Sequence, residues 1–276
     1  MRSVGGEAVT EAVISAETRE ETQNSGQVRP LTTPQRRRNF TLGVINGAFV
    51  QPANAFIDPT MVLSWFLAQL GVSNVLIGLV TPIRMGSSFL LQILVSGHLQ
   101  RKAYKLPFYQ KVAVLRCTVL LGIAAVVAFI PQESTWIVVG FFTILVIYSL
   151  VSGLLGLPFM DIVAKMIHSR RRGSFFAQRS FWGNILVLGA SAAVGYILDE
   201  PGGLRFPTNV AVLFVLASVF YGLTSVTLSF IHEPPGETKS ERVRWIDQIR
   251  RGINLLRTDT HYRLFLLTRL ARLPIS

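Results

Sequence analysis

Between Arg36 and Arg101 the chain passes from a basic triplet through two long apolar stretches, joined at a charge-free corner, Gly71-Val72-Ser73-Asn74. Each stretch exceeds the roughly 20 apolar residues a helix needs to cross about 30 Å of hydrocarbon. Basic residues stand outside both far ends, at Arg36-Arg37-Arg38 and at Arg101-Lys102, and basic loops mark the cytoplasmic face of a membrane. The whole stretch reads as a transmembrane helical hairpin with both ends in the cytoplasm.

The few polar residues inside the hairpin are regularly placed. Gly47, Gln51, Asn54 and Asp58 fall on one face of the first helix, and Thr81, Arg84, Ser88 and Gln92 on one face of the second, because steps of three and four residues return to the same side. With a rise of about 1.5 Å per residue, Asp58 lies roughly 10 Å and Arg84 roughly 14 Å below the outer boundary, within reach of each other. Ionisable groups at such depth face a partner or a wet cavity. Three readings stay open: an Asp58–Arg84 lock between helices, an outer loop carrying Asp58-Pro59, or the polar wall of a central pathway built from Gln51, Asn54, Asp58, Arg84, Ser88 and Gln92.

Half of the 276 residues are hydrophobic and 15% are charged, too apolar for a soluble domain of this length. The formal net charge of +12 sits at the ends of apolar runs and in alternate loops, which fits a polytopic membrane protein and argues against a nucleic-acid surface. Cys117 is the single cysteine, so no intrachain disulfide forms, and its apolar surroundings suit a small core residue. No His/Cys set has metal-ligand spacing, and no metal or cofactor is expected. Neither a nucleophile with a base nor an Asp-rich or H-E-x-x-H motif is present, so an enzyme is not expected.

Residues 1–38 read as a disordered cytoplasmic tail ending in the Arg triplet. A bundle of six crossings occupies 39–231. After the hairpin, the third run covers 112–130, with Arg116 placed to snorkel to the cytoplasmic surface. The fourth covers 136–157. Residues 158–179 form a basic cytoplasmic connection. The fifth run, 180–198, carries the small pairs Gly189/Ala193 and Ser191/Gly195, which permit close helix approach. The sixth is 210–231. Residues 232–260 form a cytoplasmic linker, with a capping box at Thr238–Glu241 and a basic amphipathic helix suited to anionic headgroups. Residues 261–276 begin a seventh, truncated crossing.

Leu70-Gly71-Val72-Ser73 before Ile77-Gly78-Leu79, Gly97-His98-Leu99 opening a basic loop, Arg171-Arg172-Gly173 after the fourth run and Tyr262-Arg263-Leu264-Phe265 after the linker occur in this order. Together they resemble the N-terminal half of a major facilitator superfamily transporter, over about 39–270. Arg101 stands where that family has an Asp in its loop motif, and Tyr104 where it has a Gly. Tyr148 and Ser149 stand about where proton-coupled members carry an Arg, and the fifth run lacks the Gly-Pro of drug antiporters.

The resemblance implies an all-α integral membrane protein of the cell membrane, multi-pass, with a cytoplasmic N-terminus. It implies alternating-access transport of a small-molecule substrate, with a second six-helix half in cis or trans completing the pathway. The competing expectation is a half-length scaffold or regulator that does not transport.

Overall fold

The structure, a computed structural model, describes residues 31–99, 102–129, 131, 135–199 and 204–236, with isolated positions at 258, 263, 264 and 268. The amphipathic linker helix and the seventh run expected from the sequence lie largely outside the described residues. Within them the chain is helical, with no strand.

Helix α1, Thr33–Ala55, starts on a capping box in which Thr32 Oγ1 accepts from the Gln35 amide and Gln35 Oε1 accepts from the Thr32 amide. The Arg triplet thus lies inside the helix rather than at the end of a disordered tail. The first apolar stretch is not a continuous helix. It breaks at Phe56–Asp58, resumes as one π-helical turn, Pro59–Leu63, and runs on as α2, Ser64–Gln69. Pro59 has no amide hydrogen to donate and holds Asp58 extended, at φ −61° and ψ 128°. Gly71, at φ +69°, turns the chain into α3, Asn74–Leu99, in a conformation that glycine adopts without strain.

Four further helices follow: α4, Leu106–Phe129; α5, Thr135–Met166; α6, Ser169–Leu198; and α7, Thr208–Ser229. The expected polar connection at 158–179 is therefore mostly helix, interrupted only around Ile167 and His168. Its charges Asp161 and Lys165 are held in ion pairs at the end of α5 rather than in a loop.

Among the described residues, α4 to α7 are each long and apolar enough to cross a membrane. Their outer faces are apolar too. Phe181, Trp182, Ile185 and Leu188 of α6 are all exposed, an area that a protein in water would cover. This is a helical membrane protein. The helices pack in the lateral order α6, α1, α7, α4, α5, α3. Close approach is built in by glycine: a Cβ on Gly153 of α5 would stand 2.1 Å from the Ser88 carbonyl oxygen of α3.

The loops segregate to two ends. At one end Asn39 makes a two-point contact with the backbone of His232, and the α3–α4 turn meets the end of α5 and the segment after α7. The interior is layered. One apolar core, including Phe56, Phe66, Phe141, Leu120 and Phe214, fills the half nearer α2. A second, including Tyr109, Val112, Ile162 and Phe175, fills the half nearer the Asn39 end.

Candidate functional site

Between these two cores lies a polar layer around a cavity of about 260 Å³. It takes Asn54 from α1, Arg84, Ser88 and Gln92 from α3, Arg116 from α4, Tyr148, Ser149 and Ser152 from α5, and Tyr221 from α7. A chain of hydrogen bonds crosses it: Tyr148 Oη donates to Tyr221 Oη over 3.2 Å, and Tyr221 Oη donates to Asn54 Oδ1 over 2.6 Å. Ser88 Oγ reaches the Ser149 carbonyl at 3.0 Å, tying α3 to α5.

The helix break supplies part of this layer. Interrupting α1 frees the Ile57 carbonyl, and Arg84 Nη1 donates to it over 2.7 Å. Asp58 turns to its own chain, accepting from the Thr60 amide, the Thr60 hydroxyl and the Met61 amide at 2.9, 2.6 and 2.8 Å. Asp58 and Arg84 are close without forming an ion pair, and Asp58, half-buried, caps the π-helical turn at the break. A second cavity of about 460 Å³ adjoins the first through Asn54, Arg84, Ser88 and Gln92, and extends past Asp58 and Thr81.

Five of the six residues expected to form a pathway wall thus border these two spaces. Gln51 does not. It turns toward α6, where its Cγ would lie 2.5 Å from a Cβ on Gly183. Gly47, on the same sequence stripe, packs under the Arg179 side chain.

Arg116 overturns its expectation. It does not snorkel: 7% of it is exposed, and its guanidinium stacks on the Tyr221 ring, 3.6 Å from the centroid. The apolar run starts at residue 112, but the helix does not. Helix α4 begins at Leu106, so Arg116 is ten residues in, about 15 Å along the axis. An earlier helix start was the available signal; Tyr221 and Ser152 carried none, since single hydroxyls in apolar runs are ordinary.

The end of the bundle holds the opposite kind of charge arrangement. Lys105 pairs with Asp161, and Lys165 Nζ lies 2.8 Å from Glu233 Oε1 and from the Ala103 carbonyl. Glu233 also accepts from the Lys105 and Leu106 amides at the start of α4. There a carboxylate meets the positive end of the helix. Burial lowers the Lys105 ammonium from its ordinary value, Lys165 adds to this, and Glu233 opposes it. Among the described residues no group of three or more His, Cys, Asp or Glu is placed to hold a metal.

No protein-family model, curated protein or solved structure matches this chain.

Proposed function

We propose that this chain forms a six-helix bundle of an alternating-access carrier of the major facilitator type, moving a small solute across the cell membrane with its N-terminus cytoplasmic. The observation that carries this reading is the 260 Å³ cavity held between two apolar cores and lined by polar side chains from five helices. A structural interlock between helices would consume its donors and acceptors internally, since unpaired polar groups in a membrane interior are costly. Here Arg116 Nε and Nη2 and Ser152 Oγ are buried without a partner.

The broken first helix supports the same reading. Transporter sites are commonly built where a helix is interrupted near mid-depth, because the break exposes backbone groups to a ligand or to the groups that bind it. A second bundle, in the same chain or another, supplies the facing wall, and the two rock about the site.

Gln92→Cys and Leu188→Cys, each in a Cys117→Ala background, test this in native membranes with a water-soluble maleimide. Gln92→Cys, on the cavity, should react. Leu188→Cys, which is 73% exposed on the outer face of α6, should stay inert in lipid. Failure of Gln92→Cys to react from either side of the membrane overturns the pathway.

A further inference from the structure

We propose that the solute is a small free anion whose head is a carboxylate or a phosphate, held between Arg84 and Arg116. This rests on the carrier reading and adds the substrate class. Both guanidinium groups line the 260 Å³ cavity, and no Asp or Glu does. The ion pairs found in the described residues all lie at the bundle end, among Lys105, Asp161, Lys165 and Glu233. The carboxylate nearby, Asp58, borders the adjoining cavity, accepts from Thr60 and Met61 and makes no ion pair with Arg84.

Arg116 is specific about what it leaves open. Its flat face is stacked on Tyr221, which fixes the plane of the group. The donors left buried and unpartnered are Nε and Nη2, neighbours on one edge. Two parallel N–H groups on one edge match the paired oxygens of a carboxylate or phosphate. Ser152 Oγ, also buried and unpartnered, adds a third donor. The tyrosine hydroxyls are committed to each other and to Asn54, so they shape the site and do not compete for the ligand. A volume of about 260 Å³ is that of about nine water molecules at roughly 30 Å³ each, room for a small anion. Arg116 is a buried positive charge with no carboxylate on the cavity wall, and it is offset best by a ligand that brings the negative charge.

The test uses the purified full chain in detergent, its unfolding followed by tryptophan fluorescence at constant ionic strength. Inorganic phosphate or succinate, at about a hundred times its Kd, should raise Tm by about 5 to 10 °C, and glycerol should not. A shift with short-chain phosphatidylglycerol and none with the free anions would give the site to a lipid headgroup and overturn the proposal, as would no shift with any of them. Arg116→Lys keeps the charge and removes the fork, so it should weaken the anion at least tenfold; unchanged affinity overturns the assignment. Should that variant not fold, N-ethylmaleimide labelling of Ser152→Cys in the Cys117→Ala background decides. The anion should slow it severalfold, and equal labelling with and without anion overturns the site. Reaction of Gln92→Cys in the absence of any anion tests the carrier reading separately, so either idea can fail alone.

Discussion

The same residue types meet two different fates in this bundle. At the end where α3 meets α4, two lysines and two carboxylates interlock, and Glu233, with 3% of its side chain exposed, is filled by an ammonium and two backbone amides. In the middle, Arg84 and Arg116 share a cavity with no carboxylate on its wall. A buried charge that is fully paired holds elements in register. One left unpaired costs stability and has to be offset by something else, in the proposed carrier its anionic solute.

The largest effect that would break the contrast is at the paired end. Glu233→Ala leaves Lys165 and the start of α4 without their acceptor and should cost ~3–5 kcal/mol, read from the denaturation midpoint in detergent. A loss under 1 kcal/mol would mean the cluster is ornamental. Next is the wall itself. Gly153→Ala drives a methyl into the Ser88 carbonyl, and overpacking of this kind should cost ~1–3 kcal/mol while altering thiol labelling at Gln92→Cys.

Arg116→Met sharpens the comparison because its expected effect on stability is much smaller than that of Glu233→Ala. Removing an unpaired buried charge relieves a desolvation cost and gives up the stacking on Tyr221, so stability should stay within ~1 kcal/mol of the parent while anion binding is lost. A loss as large as that of Glu233→Ala would make Arg116 structural. Smallest is Asp58→Asn. Asparagine caps a helix start about as well as aspartate, so the change should cost only a few tenths of a kcal/mol, against ~1 kcal/mol for Asp58→Ala. A large effect of Asp58→Asn would show that its charge, rather than its capping, matters.

Much of this was legible in the chain. The apolar runs behind α4 to α7 were readable because crossing a bilayer demands a length of apolar helix that little else demands. Asn54, Arg84, Ser88 and Gln92 could be grouped because helical periodicity puts them on shared faces before any tertiary contact is known. The same rule misled for Gln51, since a face wide enough for Asn54 also borders α6. The helix break at Asp58-Pro59 was visible as a proline. Its consequence was not, because the freed Ile57 carbonyl is answered by an arginine 27 positions later.

By itself, then, the sequence determined a helical membrane protein and the faces on which polar residues would collect, since both follow from local spacing and from the solvent. Only the tertiary structure decided which charges are paired. Asn54 meets Tyr221 across 167 positions, and Lys105 meets Glu233 across 128. Whether a buried arginine finds a carboxylate depends on which distant helix packs beside it, and no periodicity within one helix carries that information.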